Sequence, residues 1–161
     1  MEVRRGGYTM VELLAVLCIV GLACAMGVPR LDGMLARMRV RSAANLVAGD
    51  LALVRMLAVR EGHTAVLVLE PSADCQVRFR GRRAGFRYRV HSQPHPAGPS
   101  RVVDLRLAGG RVCMEMNGLD SLAVNSRGLP RGFNNRTVWV HERTYADSLF
   151  LSVAGRVRRS R

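Results

Sequence analysis

The chain begins with a long apolar run and continues with apolar positions at helical spacing. Residues 8–28 are mostly apolar, and a helix of that length, at about 1.5 Å per residue, spans roughly 30 Å, one bilayer core. From residue 30 onward, apolar side chains recur three or four positions apart with arginines between them, which indicates an amphipathic helix. The positions expected to face the core are Leu31, Leu35, Met38, Leu46, Leu51, Val54 and Ala58. The pattern predicts one helix over residues 9–61, half anchor and half packing surface, that stops at Gly62.

Short strands follow the helix. Beyond Gly62 the sequence alternates apolar with polar residues, or is rich in β-branched residues, over short segments separated by turn residues. These segments cover residues 63–70, 75–81, 86–90, 101–107, 111–116, 121–126, 137–142 and 148–155, and the proline-rich residues 91–100 are expected to form a loop. One helix followed by many antiparallel strands predicts an α+β fold, in which the long helix packs on an antiparallel β-sheet head.

The charge of the chain is strongly positive. Its formal net charge is +13, from 25 basic and 12 acidic residues, and every basic residue is an arginine. A GC-rich genome would explain the choice of arginine over lysine, but it does not explain the surplus of positive charge. Such a surplus favours a polyanionic partner, either nucleic acid or an anionic surface.

Sequence motifs of common enzyme classes are absent. The chain has no H-E-x-x-H, G-x-S-x-G or P-loop pattern. His91 and His95 are four residues apart, but Pro94 and Pro96 exclude a helix that would align them as metal ligands. We therefore expect no catalytic residues, no metal and no cofactor.

The four cysteines fall into two pairs. Cys18 and Cys24 lie in the apolar run, where a thiol packs as a small hydrophobic side chain. Cys75 and Cys113 lie in the polar part, and neither belongs to a C-x-x-C pattern, so a structural zinc site is not indicated. If this part of the chain reaches an oxidising compartment, Cys75 and Cys113 can form a disulfide; otherwise they remain two unpaired thiols.

Glu12 decides between three interpretations of the apolar run. A cleaved secretory signal would have the basic Arg4 and Arg5 and an A-x-A site at residues 23–25, but Glu12 interrupts its apolar core. A plain transmembrane anchor, with the N-terminus kept cytoplasmic by the two arginines, explains the length of the run. It leaves a costly carboxylate in hydrocarbon without a partner.

The third interpretation uses every residue around the carboxylate. After a short basic leader come Gly7, Tyr8, Thr9, Met10, Val11 and Glu12. This segment resembles the class III signal of type IV pilins and pseudopilins, although Tyr8 stands where phenylalanine is usual. The resemblance implies that a prepilin peptidase cuts between Gly7 and Tyr8 and that the new amine of Tyr8 is methylated. It also implies that the Glu12 carboxylate offsets the amine of a neighbouring subunit during assembly.

The same resemblance divides the chain into three parts. Residues 1–7 would be the leader peptide, residues 8–29 a transmembrane helix, and residues 30–161 a periplasmic head with a basic tail. The protein would cross the bacterial inner membrane once, with residues 8–28 in contact with lipid. It would then enter a pilus or pseudopilus together with other pilins or pseudopilins.

Three segments in the second half of the chain narrow the resemblance. "VRMLAVREG", "LAVNSRG" and "LFLSVAGRVR" together resemble the FimT/GspH group of minor pseudopilins. The FimT-like branch, which we favour, implies non-specific binding of double-stranded DNA for uptake in natural transformation. Its DNA-binding Gly-Arg-x-Arg motif corresponds here to Gly155, Arg156, Val157 and Arg158. The alternative, GspH-like branch implies a structural role in assembling the pseudopilus of a type II secretion system.

Strand geometry makes this motif a suitable phosphate contact. On an extended segment, residues two apart project to the same side, so Arg156 and Arg158 would present two guanidinium groups together. Arg159 and Arg161 would add charge on a mobile tail. The alternative is a terminal strand whose arginines are simply solvated. Residues 78–89, which interleave arginine with aromatic side chains, offer either a second nucleic-acid contact or another strand with a solvated arginine face.

Overall fold

The computed structural model describes residues 9–78, 82–93, 101–106, 110–132 and 135–160, apart from the side chains of residues 27–30. The predicted cleavage position between Gly7 and Tyr8 lies outside the described residues, as does Arg161. Residues 79–81 of one predicted strand and residues 94–100 of the predicted loop also lie outside them.

A single α-helix, α1, spans Met10–Glu61, which confirms the prediction over residues 9–61. Thr9 caps its first turn, because the amide of Glu12 donates to Thr9 Oγ1 at 3.3 Å and to the Thr9 carbonyl at 3.1 Å. Glu12 is therefore the third residue of the helix, near the positive end of the helix dipole. Gly62 follows the helix with a φ of 69°, a left-handed conformation that glycine adopts at little cost.

The chain divides into two compact units, the first ending at Leu35 and the second comprising Ala36–Arg161. In the first unit the large apolar side chains of α1 are exposed, among them Val11, Leu13, Leu14, Val16, Leu17, Ile19, Val20 and Leu22. By length and composition, α1 is able to cross a membrane. Exposed apolar residues over such a length fit a bilayer anchor.

In the second unit, which we call the head, a stripe of mostly small apolar residues on α1 is buried. The stripe consists of Ala36, Val40, Ala43, Ala44, Val47, Leu51, Val54 and Ala58. Its members recur three or four positions apart, as expected for one face of a helix. Among the positions predicted to face the core, this confirms Leu51, Val54 and Ala58.

The prediction is wrong for the larger side chains nearer the start of the helix. Leu31, Leu35 and Met38 are 59%, 49% and 55% exposed, whereas Leu46 is partly buried and packs against the core as predicted. At about 100° of rotation per residue, Met38 lies roughly 200° around the helix from the buried Ala36. The core therefore uses the alanine and valine positions, whose small side chains let the strands approach the helix.

Nine strands in the described residues form two antiparallel sheets. Their bounds are β1 Ala65–Glu70, β2 Ala84–Gly85, β3 Arg87–Ser92, β4 Arg101–Asp104, β5 Cys113–Met116, β6 Ser121–Val124, β7 Arg136–Glu142, β8 Tyr145–Leu151 and β9 Val157–Arg159. One sheet has the order β4-β3-β1-β6 and the other β2-β5-β7-β8-β9. Both sheets and the stripe on α1 contribute to one hydrophobic core. The architecture confirms the predicted α+β class, with a long helix packed on antiparallel strands.

Several strand boundaries differ from the prediction. β8 spans Tyr145–Leu151 instead of residues 148–155, so residues 152–155 belong to the turn before β9. β3 continues through Ser92, so residues 91–92 are not part of the expected loop. Residues 75–78 belong to no strand. The amide of Arg78 donates to the buried carboxylate of Glu115 at 2.6 Å. This bond holds the segment across β5 without pairing it as a strand.

A buried carboxylate ties α1 to the four-stranded sheet. Asp50 Oδ2 accepts a hydrogen bond from the Tyr88 hydroxyl at 2.6 Å, and Asp50 Oδ1 lies 3.2 Å from Arg101 Nε. Burial, followed by the bond to Asp50, raises the pKa of Tyr88 far above its ordinary value. The phenol therefore remains a donor at all physiological pH values, and Asp50 keeps two partners in a largely apolar surrounding.

The structure joins Cys75 to Cys113 by a disulfide. Their Cα atoms lie 5.8 Å apart, and the two residues are separated by 38 positions in the sequence. Both are buried and pack with Ala84 and Phe86. The bond fastens the segment that precedes β2 to strand β5.

We expect Cys75 and Cys113 to be oxidised to each other in protein isolated from membranes. For a closed loop of this length, the chain-entropy estimate predicts that the disulfide stabilises the folded state by about 3–5 kcal/mol. Peptide mapping under non-reducing conditions measures the pairing, and the free Cys18 and Cys24 serve as internal controls for alkylation. Recovery of alkylated Cys75 and Cys113 without prior reduction would reject the bridge.

Candidate nucleic-acid interface

The Gly-Arg-x-Arg motif begins in a hairpin turn and continues into the last described strand. β8 and β9 are antiparallel, with Leu151 opposite Val157. Between them the Gly155 amide donates to the Ser152 carbonyl at 2.8 Å, and the Ser152 amide donates to the Arg156 carbonyl at 2.9 Å. Gly155 has a φ of 75°, which closes the turn and which other residues rarely adopt. We call β8, this turn and β9 the C-terminal hairpin.

The turn is fixed against α1 and a second turn. A Cβ atom on Gly155 would lie 2.8 Å from the carbonyl oxygen of Gly128, so the two backbones are in direct contact. Arg55 Nη1 donates to the Gly155 carbonyl at 3.3 Å, which links the hairpin to the helix. Two of the segments singled out in the sequence, around residues 122–128 and 149–158, thus meet beside the C-terminal part of α1.

An open groove of about 720 Å³ lies between α1 and the C-terminal hairpin. Its arginines are Arg55 and Arg60 from the helix and Arg156 and Arg158 from the hairpin, and its other lining residues are Ala52, Met56, Val59, Gly155 and Val157. Arg156 and Arg158 are both exposed, while Val157 between them is partly covered. Both arginines of the motif thus lie beside one groove, which Val157 also lines. We call it the basic groove.

Arg55 and Arg60 were not identified from the sequence as site residues. Each looks like one more arginine on an amphipathic helix, and Arg55 is 100 residues away from its partner Gly155. Both arginines lie in the segment "VRMLAVREG", one of the three segments that resemble the FimT/GspH group. That resemblance is the signal in the sequence that could have identified them. The two arginines flank the exposed Met56 and Val59.

Carboxylates do not neutralise the basic groove. Within the ranges that the structure describes, no Asp or Glu pairs with Arg55, Arg60, Arg156 or Arg158, whereas many other arginines have such a partner. Four cations at one open site concentrate positive potential and attract polyanions.

Arg159 differs from the prediction of a mobile tail. It belongs to β9, its Nε and Nη2 atoms contact Asp147 Oδ2, and its Nη1 donates to Asn45 Oδ1 at 2.9 Å. The hydrogen bond to Asp147 raises the pKa of Arg159 above its ordinary value. This arginine therefore closes the end of the hairpin onto the head and contributes little free charge.

In the described part of the second basic stretch, Tyr88 and several arginines are already engaged within the head. Tyr88 is buried in the core, so its ring is unable to stack on a base. Arg83 lies 3.2 Å from Asp120, Arg87 lies 3.4 Å from Asp104, and Arg89 lies 3.0 Å from Glu70. Of the two interpretations of residues 78–89, the described part favours a sheet surface whose arginines are locally paired.

A buried histidine elsewhere in the head has a structural environment. His141 Nε2 lies 2.9 Å from Glu115 Oε1, and both side chains are almost fully buried. Burial lowers the pKa of His141, although the Glu115 carboxylate opposes that shift. Among the described residues, no group of three His, Cys, Asp or Glu side chains is arranged to hold a metal ion.

Comparisons with known proteins identify the fold. No protein-family profile matches the chain, and no curated protein matches it. The crystal structure of the type IV minor pilin FimU of Pseudomonas aeruginosa (strain PAO1) in space group P21 has a TM-score of 0.59 and 17% sequence identity, and the match covers 78% of this chain and 90% of FimU. In space group P65 the values are 0.54 and 17%, covering 75% and 92%. The head and helix thus have the type IV pilin fold; the narrower FimT/GspH resemblance is neither supported nor contradicted by this likeness.

Replacing Gly155 with alanine should destabilise the head. The new Cβ meets the Gly128 carbonyl oxygen in a conformation that alanine disfavours, and overpacking of this kind costs about 1–3 kcal/mol beyond the backbone strain. Gly62→Ala is the matched control, because Gly62 has a φ of 69° and no atom within 4 Å of an added Cβ. Denaturant unfolding of the full chain in uncharged detergent measures both variants. Equal destabilisation of the two would mean that the contact with Gly128 is unimportant.

Proposed function

We propose that the protein is a minor type IV pilin-like subunit that binds DNA without sequence preference through the basic groove. The observation that carries the proposal is that Arg55, Arg60, Arg156 and Arg158 meet at one open groove without a carboxylate partner among the described residues. The fold likeness to a minor pilin supports the pilin-type role. The Gly-Arg-x-Arg motif supports double-stranded DNA as the ligand and uptake in natural transformation as its purpose.

The chemistry of the groove suits phosphate. Each guanidinium group presents paired N–H donors that bind two oxygens of one phosphate. Cα atoms two residues apart on a strand are separated by roughly 6.6 Å, so Arg156 and Arg158 are able to bind neighbouring phosphates of one strand. Contacts to phosphate position DNA without reading its sequence. The residues that line the groove include no Asn or Gln, the side chains that pair with adenine, and in this proposal its arginines bind phosphate instead of guanine.

Assembly would follow the pilin route. A prepilin peptidase would remove residues 1–7, Tyr8 would be methylated, and residues 8–28 would anchor the protein in the inner membrane with its head in the periplasm. Glu12 lies in the first turn of α1 behind the Thr9 cap. Its carboxylate is then close enough along the chain to the new N-terminus to meet the amine of a neighbouring subunit when helices assemble side by side.

Changing Arg156 and Arg158 together to glutamine should weaken binding to a random-sequence duplex. Each lost phosphate contact lowers the slope of log affinity against log salt concentration by about 0.9, so the double variant should lose about 1.8. Fluorescence anisotropy of the full chain in uncharged detergent, measured over a series of salt concentrations, gives the slope.

The matched control for this experiment is Arg83→Gln with Arg89→Gln. It removes the same two charges from arginines that are already paired with Asp120 and Glu70. We expect a much smaller loss of affinity. Equal losses from both double variants would mean diffuse electrostatic attraction instead of a site. If the unmodified protein bound no DNA at low salt, the proposal would fail in favour of a GspH-like structural role in a secretion pseudopilus.

Processing and the role of Glu12 are tested together. Intact-mass measurement of membrane-purified protein should show loss of residues 1–7 and one added methyl group. Glu12→Gln removes the charge and should leave cleavage nearly intact while reducing the amount of protein in sheared filaments. Thr9→Val is the control, because it removes the helix cap but keeps the carboxylate. A mature form starting after Ala25, or normal assembly of Glu12→Gln, would contradict this account.

A further inference from the structure

Several residues that line the basic groove are apolar, and phosphate binding alone does not account for them. Met56 and Val59 on α1 are 53% and 54% exposed, and Ala52 and Val157 lie beside them in the same groove. In the sequence, Arg55 and Arg60 flank Met56 and Val59, and Arg156 and Arg158 flank Val157. The site therefore combines apolar side chains, which we call its floor, with four cations, which we call its rim.

The outer surface of a DNA duplex would engage the arginines of this combination but not its apolar side chains. A duplex presents phosphates and sugars to a shallow groove and keeps its base faces stacked inside. An unpaired strand presents the same phosphates together with exposed base faces, and proteins bind such strands with a basic groove and with side chains, most often aromatic, against which the bases pack. A methionine side chain is polarizable and makes favourable contacts with aromatic ring systems.

We infer that the basic groove binds unpaired DNA, such as a single strand or a frayed duplex end, more tightly than intact duplex. This inference rests on the DNA-binding function proposed above and specifies its ligand. Arg156 and Arg158 hold successive phosphates, and a base between them turns inward onto Met56 and Val59. The floor is aliphatic and offers no hydrogen-bond partner to a base edge, so the preference is for the unpaired state and not for a sequence.

Charge complementarity supports this occupant over an uncharged one. An apolar partner surface would leave four arginines around it without counterions, whereas a nucleic-acid strand satisfies the rim and the floor together. Electrostatics alone predicts the opposite preference, because duplex DNA has the higher charge density and the steeper salt dependence. A tighter complex with single-stranded DNA therefore reports on base contacts specifically.

The experiment compares two probes on the full chain in uncharged detergent: an oligothymidylate, which has little secondary structure, and a GC-clamped blunt duplex of the same length. Burial of part of one base on the floor predicts roughly fivefold tighter binding of the oligothymidylate at equal salt. Met56→Gln, which keeps the length of the side chain, should reduce that ratio to one or below. Met56→Leu, which keeps an apolar floor, should retain the preference. Met38→Gln is the matched control, because Met38 is a comparably exposed methionine of the same helix outside the basic groove.

Each outcome bears on a separate claim. A preference for the oligothymidylate that Met56→Gln abolishes and Met38→Gln leaves unchanged supports the inference. Equal binding of both probes by the unmodified protein, or a preference that survives Met56→Gln, overturns it while leaving the proposed function intact. Binding of neither probe overturns the proposed function itself. A polyglutamate peptide that competes as well as the oligothymidylate would show that the groove responds to charge alone, and would also overturn the inference.

Discussion

Burial of the small-residue face of α1 is the constraint on which the head depends. Ala44, Val47, Val54 and Ala58 are completely buried, and their small side chains allow strands of both sheets to close around one helix. At about 25 cal/mol per Å² of apolar surface, such burial is the main favourable contribution to folding. Once that face is committed to the core, the flank that carries Arg55 must lie outside it. The position of the basic groove is therefore a consequence of how the helix packs.

The acidic residues determine where positive charge remains. Asp50 and Glu142 are buried and hold Arg101 and Arg39, while Asp104 and Asp147 hold arginines at the surface. Removal of one partner from either buried pair would leave an uncompensated charge in the head and would destabilise the fold. These carboxylates compensate arginines on α1, on and beside the four-stranded sheet, and at the end of β9. The chain carries a net charge of +13, and its uncompensated positive charge lies where arginines have no carboxylate partner. The basic groove is one such place.

Local patterns in the sequence were sufficient for the elements but not for their contacts. The apolar run and the helical spacing predicted α1, and alternation predicted most strands, because both depend on neighbours within a few residues. The buried face of the helix was partly misassigned, since alanine and leucine both count as apolar and only the sheets decide between them. Alternation of apolar and polar residues predicts a strand that includes residues 75–78. The structure instead holds this segment by a hydrogen bond to Glu115, which lies on a strand distant in the sequence. Pairing of Arg159 with Asp147 and the meeting of Arg55 with Gly155 are likewise contacts between distant segments, and no short-range signal contains them.

The central claim is that DNA occupies the basic groove, and arginine footprinting tests it most directly in a chain whose basic residues are all arginine. Phenylglyoxal would be added to the full-length protein with and without DNA, and modification at each arginine read by peptide mass spectrometry. The account predicts that DNA protects Arg55, Arg60, Arg156 and Arg158 while modification of Arg83 is unchanged. Protection spread evenly over the surface, or protection of Arg83 without the groove arginines, would contradict it.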